Sequence, residues 1–158
     1  LIIHDITERI QAQEALAAET NRFKTLTKVS NLGVWEWHQD RKYLWCSSEY
    51  FTLLGREQNE YDFSGKPNLK ETWIDLLHPE DKERAWQTFE DYLAFGATGL
   101  YENKFRMLHA DGRWIWIWSR GSSIRDENGE LTGRTIGTHI DITKQQLVEE
   151  SLQELLLL

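Results

Sequence analysis

Cysteine, methionine and proline are scarce in this sequence, whose 158 residues include one cysteine, one methionine and two prolines. The lone Cys46 cannot form an intrachain disulfide, and one thiol cannot supply the ligands of a structural zinc site. The sequence has no apolar run near the roughly 20 residues that a membrane-spanning helix needs, and it does not open on the basic and then apolar leader of an exported protein. These absences predict a soluble chain without direct membrane contact in a reducing, cytoplasmic compartment, and they leave open a membrane anchor elsewhere in a longer parent protein.

Positive charge is also in deficit, because 18 Lys and Arg residues face 26 Asp and Glu residues and give a net charge of −8. This balance argues against generic binding to nucleic acid or to anionic membranes. Against an otherwise globular composition, the excess is in tryptophan, with eight residues. The tryptophans could fill a core, line a ligand pocket or stack on bases. The third interpretation lacks the interleaved Lys and Arg residues that a nucleic-acid surface needs.

Apolar periodicity and turn residues divide the chain into helices and strands. The first half predicts, in order, an amphipathic helix over 7–29, a β-hairpin of strands 33–40 and 43–46, a short helix from Ser48 to Leu54, and a loop with irregular helical turns over 56–70. The second half predicts a helix that has Pro79 at its first position and continues over 80–95, then strands over 100–109, 113–125 and 131–142, and a helix from Thr143.

Two dipeptides separate the last three strands, Asp111-Gly112 and Asn128-Gly129. Both are typical of type I′ hairpin turns, in which both central residues have positive φ. The last third is therefore predicted to be a three-stranded antiparallel meander. With the earlier hairpin, this gives an α+β domain of five antiparallel strands, with helices inserted between the second and third strands and covering one face.

The sequence of the fourth strand is apolar on both faces. Trp114, Trp116 and Trp118 share one face by the two-residue period of a strand, while Ile115, Ile117 and Ser119 share the other. We therefore expect both faces to be covered, one by the short helices and the other by a flanking helix or a dimer partner.

Asp-Ile-Thr occurs twice, in His4–Arg9 and in Ile140–Gln145, each time at the predicted end of an extended segment before a helix. The two copies lie too far apart for a solenoid repeat. The first copy predicts that residues 1–6 are the tail of a preceding, similar domain. Because the first residue is leucine and Met107 is the one methionine, we expect the chain to be a piece of a longer protein.

Four stretches, taken in order, resemble the recurrent motifs of a PAS domain with its C-terminal PAC segment, the sensory box of bacterial signalling proteins. They are Gly33-Val-Trp-Glu-Trp, Trp73–Asp81 with its His-Pro-Glu-Asp, Asp111–Gly121 with Trp116 and Arg120-Gly121, and Gly137–Thr143. The resemblance runs from about residue 21 to residue 143. It implies a sheet in the order 2-1-5-4-3, with short helices on one face and helices flanking the domain at both ends.

The resemblance also implies an organisation and a function. Residues 7–30 would form an N-terminal linker and dimerisation helix, 31–143 the PAS/PAC domain, and 144–158 a C-terminal signalling helix. The chain would be a homodimer through its flanking helices, with a PAS-like domain upstream. It would pass a change induced by a ligand or a partner to a downstream diguanylate cyclase or histidine kinase. Two alternatives stay open, a ligand-free dimerisation or spacer module and a small-molecule carrier.

The residues argue against catalysis and against bound cofactors in this chain. Five histidines are scattered, and the sequence has no phosphate-binding glycine loop, His-Glu-x-x-His or paired-cysteine motif, so we predict neither an enzyme nor a metal site. Relatives that bind flavin covalently carry a cysteine in an Asn-Cys-Arg-Phe helix, whereas Cys46 lies in Leu-Trp-Cys-Ser at the end of a predicted strand. Haem-binding relatives often place an axial histidine on the helix before the third strand, and the predicted helix over 80–95 has no histidine. The first expectation is a packed core without a cofactor, and the second is a cavity for a small apolar or aromatic molecule.

If a pocket exists, aromatic and aliphatic residues of the predicted strands and helices should line it. The candidates are Trp37, Phe51, Leu54, Trp73, Trp86, Phe105, Trp116 and Ile136. A second candidate site is the signal junction Asp141-Ile142-Thr143. There we expect Asp141 to hold the strand–helix junction through hydrogen bonds to nearby backbone or to a basic side chain, and Thr143 to cap the exit helix, with Gln146 at capping-box spacing. A plain structural cap is the alternative.

Overall fold

Within residues 2–158, five strands and five helices are connected in the order that the sequence predicts. The computed structural model describes residues 2–158, and residue 1 of the predicted tail over 1–6 lies outside that range. The elements are α1 (Ile2–Val29), β1 (Gly33–His38), β2 (Tyr43–Cys46), α2 (Ser48–Thr52), α3 (Leu69–Thr72), α4 (Lys82–Ala94), β3 (Tyr101–Leu108), β4 (Trp114–Arg125), β5 (Leu131–Asp141) and α5 (Thr143–Leu156), with 3₁₀ turns at Gln58–Tyr61 and Ile74–Leu76.

The strands form one antiparallel sheet in the order β2-β1-β5-β4-β3, which confirms the predicted α+β fold and its topology. β5 is the central strand although it comes last in the chain. It pairs with β1 through Trp35 opposite Gly137, and with β4 through Gly121 opposite the same glycine. The large ring of Trp35 therefore has two glycines beside it in the sheet.

Both hairpin turns of the meander differ from the predicted type. Gly112 and Gly129 have φ of 94° and 78°, but Asp111 and Asn128 are not among the residues with positive φ. The amide of Gly112 donates to the carbonyl of His109, and that of His109 donates to Arg113. This pattern is a type I turn followed by a left-handed glycine, which makes the loop one residue longer than a type I′ turn.

The helix α1 begins five residues before the predicted start, since residues 2–6 are helical rather than extended. A strand needs a neighbour for its backbone groups, whereas a helix satisfies them locally, and residues 2–6 are not paired in the sheet. Nor is α1 amphipathic along its whole length. At about 100° per residue, Ile3, Ile6 and Ile10 lie on nearly the opposite side from a C-terminal stripe of exposed side chains. We call that second set, Leu16, Phe23 and Leu26, the α1 stripe.

The helix α4 begins later than predicted, at Lys82, so Pro79 lies in the preceding turn instead of at the first helical position. The reason is a tertiary contact. Asp81, directly before the helix, binds the guanidinium of Arg106 on β3 through both carboxylate oxygens. Gly96, with φ of 83°, ends the helix region as expected.

The sheet has a buried inner face and a partly exposed outer face. On β4, Ile115, Ile117 and Ser119 point into the core under α2, α3 and α4. Trp114, Trp116 and Trp118 point outward, and Trp114 is 36% exposed. Three of the eight tryptophans, Trp35, Trp37 and Trp73, are buried, so core filling accounts for fewer of them than the composition suggested.

Candidate functional site

A small cavity lies between the inner face of the sheet and the helices. Its volume is about 20 Å³, enough for roughly one water molecule. The lining residues come from the sheet, α2, α3, α4 and the turn after α3, and they include no Asp, Glu, Lys or Arg: Trp35, Leu44, Tyr50, Leu69, Trp73, Phe89, Tyr101, Ser119 and His139. The wall thus carries hydrogen-bonding groups but no acidic or basic side chain other than an imidazole.

Two tryptophans in this wall have unsatisfied indole N–H groups. The Nε1 atoms of Trp35 and Trp73 are buried and have no hydrogen-bond partner within residues 2–158. An indole nitrogen can only donate, and a buried donor without a partner costs about 1–3 kcal/mol. Both rings meet Phe89 edge-on, with centroid separations of 6.4 Å for Trp35 and 5.9 Å for Trp73. Two rings of the cavity wall therefore carry buried donors that lack an acceptor.

His139 on β5 supplies the third polar group of the wall. Its ring stacks on Tyr50 at 4.6 Å and meets Phe105 edge-on at 5.5 Å. Burial lowers the pKa of His139 from 6.5 to about 3. The imidazole is therefore neutral at physiological pH, and the whole cavity wall is uncharged there.

A larger open groove of about 800 Å³ adjoins the cavity on the side of α3 and α4. Leu69 and Phe89 line both spaces and so form the boundary between them. Trp37, Trp86 and Leu93 give the groove an apolar surface. The charged side chains along it balance, since Lys42 and Lys70 are matched by Glu71 and Glu90.

The strand–helix junction is fixed by hydrogen bonds at Asp141 and Thr143. The Asp141 Oδ1 atom accepts from the backbone N of Thr143 at 2.9 Å and from its hydroxyl at 2.6 Å. The Thr143 hydroxyl oxygen in turn accepts from the backbone N of Trp116 at 2.9 Å, and the amide of Ile142 donates to the carbonyl of Trp116. The first turn of α5 is thereby attached to β4.

The roles within the junction differ from the predicted ones in one respect. Thr143 is the first residue of α5 rather than its cap, and its side chain binds the sheet. The cap position belongs to Ile142, which has no side-chain capping bond. Asp141 instead supplies the acceptor for the first free amide of the helix, because its carboxylate reaches over Ile142.

The outer side of the sheet connects this junction to α4. The Asp81 Oδ1 and Oδ2 atoms accept from Nη2 and Nε of Arg106 at 2.8 and 2.9 Å, and Oδ2 also accepts from its backbone N. These bonds to Arg106, above all to its side chain, lower the pKa of Asp81 against the effect of burial. The Arg106 guanidinium lies 5.1 Å from the ring centre of Trp116. We call the run Asp81, Arg106, Trp116, Thr143 and Asp141 the outer-face relay.

The fold and this arrangement match known proteins. A family model described as the PAS fold matches residues 43–139, which is more than half of the chain. The chain belongs to the PAS-fold family. The resemblance noted in the sequence is therefore confirmed.

Proteins similar to this PAS domain include one curated relative and two solved structures from bacteria. The chain is 26% identical over 150 residues to the uncharacterized protein y4lL of Sinorhizobium fredii, covering 95% of the chain and 17% of that protein. The sensory box histidine kinase/response regulator of Burkholderia thailandensis has a TM-score of 0.63 and 23% identity, covering 84% of this chain and 92% of that one. The N-terminal domain of a diguanylate cyclase with PAS/PAC sensor from Marinobacter aquaeolei has a TM-score of 0.59 and 25% identity, covering 73% and 98%.

These similarities support different conclusions. The first structure establishes the fold, and the family match together with the second structure supports a signalling sensor module. The chain spans 17% of the length of the curated relative, so the matched relative is much larger than this PAS domain.

The predicted pocket residues of the PAS domain fall into three places. Trp73 lines the cavity, and Trp37 and Trp86 line the groove. Phe51, Leu54 and Phe105 lie in the core without bordering either space, and Trp116 and Ile136 lie on the outer face. The outward position of Trp116 follows from strand alternation, because its neighbours Ile115 and Ile117 take the inner face.

Eight of the nine wall residues were missed by the sequence reasoning: Trp35, Leu44, Tyr50, Leu69, Phe89, Tyr101, Ser119 and His139. Two glycines, in Arg120-Gly121 and Ile136-Gly137, are the sequence signal for the inward position of Trp35. Small residues beside a large ring make room for it. The inward position of His139 follows from its register opposite Ser119 and Gly33, which no local pattern shows.

Other chemistry is limited in the part of the chain that the structure describes. No group of three or more His, Cys, Asp or Glu side chains within residues 2–158 is arranged to hold a metal ion. Cys46 is buried, and burial raises its pKa, so its thiol stays protonated. Across the same residues, every helix falls short of the length or the apolar character needed to cross a membrane.

Proposed function

We propose that this PAS domain is a sensor and signal-transmission module of a larger bacterial signalling protein, and that it is regulatory rather than catalytic. It detects a small molecule or a partner and changes the position of its exit helix. The downstream effector is a diguanylate cyclase or a histidine kinase. A second PAS-like unit, which ends in residues 1–6, precedes this PAS domain in the chain. The family match and the diguanylate cyclase neighbour support this proposal. A cytoplasmic location is part of this proposal, and the free Cys46 thiol supports it.

The observation that carries the proposal is the outer-face relay. Phe89 of α4 borders the cavity and the groove, and Asp81 stands directly before the same helix. A shift of α4 on ligand binding would move Asp81 and, through its paired bonds, Arg106 and the adjoining Trp116. The backbone of Trp116 holds Thr143, the first residue of α5. The contacts thus form an unbroken physical path from the cavity helix to the exit helix.

Replacing Asp141 by alanine should uncouple the input of the full-length protein from its effector while the PAS domain stays folded. The substitution removes the acceptor of the Thr143 amide and hydroxyl, so the first turn of α5 loses its fixed position. We expect the free energy of unfolding to fall by about 1 kcal/mol, as for the loss of a helix cap. Effector activity with and without stimulus should become nearly equal. The measurements are urea unfolding of the domain and an effector assay of the full-length protein.

Asp126→Ala is the matched control for this experiment. Asp126 also accepts from two backbone amides, those of Asn128 and Glu130, but it lies in the β4–β5 turn. The Asp126→Ala substitution should lower the free energy of unfolding by a similar amount and leave regulation of the effector intact. If Asp141→Ala preserves regulation, or if both variants abolish it equally, the junction does not transmit the signal.

We further propose that the PAS domain forms a homodimer through its flanking helices. The α1 stripe lies within an arc of about 80°, and its members are between 46% and 69% exposed. Apolar side chains in one stripe on an isolated helix are typical of a helix–helix interface. On α5, four apolar side chains are likewise exposed: Leu147, Val148, Leu152 and Leu155.

Light scattering should give the wild-type chain a mass twice its 18.7 kDa. Phe23→Glu places a charge in the α1 stripe and should weaken the dimer at least tenfold. A tenfold change in the dissociation constant corresponds to about 1.4 kcal/mol, which is less than the cost of losing one buried aromatic contact. Asn21→Glu adds the same charge on the other side of α1 and should leave the mass unchanged. A monomeric wild type, or equal effects of both variants, would contradict dimerisation through this stripe.

A ligand-free spacer module is the second candidate function, and the small volume of the cavity favours it. In that case strain from the upstream domain, arriving through α1, would reach α5 without any bound molecule. Sensor and spacer differ in whether a small molecule raises the melting temperature of the domain.

A further inference from the structure

We propose that the site takes an uncharged molecule with an apolar body and one hydrogen-bond acceptor, such as a carbonyl oxygen. The acceptor enters the cavity beside Trp35 and Trp73, and the body occupies the groove between α3 and α4. This assignment rests on the proposed sensor function, because it names the class of molecule that the sensor detects.

The size of the cavity determines which part of the molecule can enter. About 20 Å³ holds roughly one water molecule, so a carbonyl oxygen fits and an aromatic ring does not. The groove of about 800 Å³ has room for a ring or a short chain. Because Leu69 and Phe89 border both spaces, a molecule in the groove reaches the cavity by displacing these two side chains.

The donors in the wall determine the polarity of the group that enters. Indole nitrogens donate and never accept, so Trp35 and Trp73 require an acceptor. Tyr50 already donates to the carbonyl of Thr72, and the hydroxyl of Tyr101 accepts from Asn103. The two buried wall atoms that lack any partner within residues 2–158, the indole nitrogens, are thus both donors, which favours a carbonyl or ether oxygen over an amine.

The electrostatics of the site determine the charge of the molecule. The cavity wall has no acidic or basic side chain apart from His139, which is neutral. A carboxylate would enter this buried space without a cationic partner, and an ammonium would enter without an anionic one, both of which are strongly unfavourable. The balanced charges of the groove give no preference for either sign.

The test compares three probes of one shape on the 158-residue chain. Acetophenone carries the carbonyl, ethylbenzene lacks it, and benzoate carries a charge. Indole N–H signals of the eight tryptophans are followed by two-dimensional NMR and assigned with single Trp→Phe variants. We expect acetophenone to bind about tenfold more tightly than ethylbenzene, as one added hydrogen bond allows. It should move the Trp35 and Trp73 N–H protons downfield, and benzoate should leave both in place.

Trp73→Phe keeps an aromatic ring and removes the donor, so it should reduce the preference for acetophenone to below about threefold while ethylbenzene binding stays. Trp45→Phe, on the outer face, is the control and should preserve the preference. If Trp73→Phe does not fold, the downfield shifts in the wild-type chain still decide the question.

Each outcome points to a different conclusion. Equal binding of acetophenone and ethylbenzene, or binding of benzoate, overturns the acceptor class and leaves a sensing pocket in place. The same holds if acetophenone moves other indole signals and not those of Trp35 and Trp73. If neither neutral probe binds at millimolar concentration, the inference fails together with the small-molecule form of the proposed function, and the spacer function is favoured.

Discussion

Replacing Gly137 by alanine should lower the free energy of unfolding by about 3 kcal/mol, at the upper end for overpacked cores. A Cβ atom at this position would collide with the ring of Trp35 and with the backbone oxygen of Arg120. Neither can withdraw easily, because Trp35 is 4% exposed and the carbonyl belongs to the neighbouring strand. For a domain of this size, the melting temperature should fall by roughly 10 °C.

A double-mutant cycle isolates the ring from the backbone in this prediction. In a Trp35→Leu background, Gly137→Ala should cost at least about 1 kcal/mol less, since one of the two obstacles is gone. Thr138→Ala, the adjacent position on the outer face, is the control and should change stability by less than about 0.5 kcal/mol. Urea unfolding measures the four chains of the cycle and the control. A Gly137→Ala variant as stable as the wild type would show that the ring is not held as described.

Acidification should destabilise the domain through His139. Burial depresses the pKa of this base to about 3, while in the unfolded chain it stays near 6.5. Below about pH 6.5 the unfolded state therefore binds a proton that the folded state does not, and stability falls with pH until about pH 3. Between about pH 7.5 and about pH 4.5 the expected loss is about 3 kcal/mol, at 1.36 kcal/mol per pH unit.

His139→Gln should flatten this part of the stability profile, because the titrating ring is gone. His4→Gln, on the exposed surface of α1, is the control and should leave the wild-type slope unchanged. Asp81 also makes the domain less stable on acidification, but over a more acidic pH range. Because its pKa is lowered in the folded state, its stabilising contribution falls only as the pH drops below 3.8. If His139→Gln kept the wild-type dependence of stability on pH, a group other than His139 would cause the acid sensitivity.

Local patterns predicted the hairpins and most helices of this domain because the signals are local. Asp111-Gly112 and Asn128-Gly129 mark their turns whatever the rest of the chain does, although the turn type depended on loop length. The strand order came from the PAS resemblance and agrees with the structure. The start of α4 was placed too early, since Asp81 is engaged by Arg106, a residue 25 positions away.

The candidate site was harder to predict than the fold. Whether a strand residue faces inward depends on pairing between distant segments, and Trp35 and His139 are placed by the β1–β5 register. Aromatic content alone did not separate Trp73, in the wall, from Trp116, on the outer face. The junction was predicted more closely, because Asp141 and Thr143 act on each other across one residue.

The central position of β5 affects how the chain can be synthesised and folded. As the chain leaves the ribosome, the β1–β2 hairpin emerges first, but β1 obtains its second neighbour only after the last strand has emerged. Until then the backbone groups on one edge of β1 are available to other strands. In a protein with several similar domains, a neighbouring β5 could pair there by mistake, a known failure of repeated domains. Residues 31–130 alone, lacking β5, should therefore misassemble rather than fold.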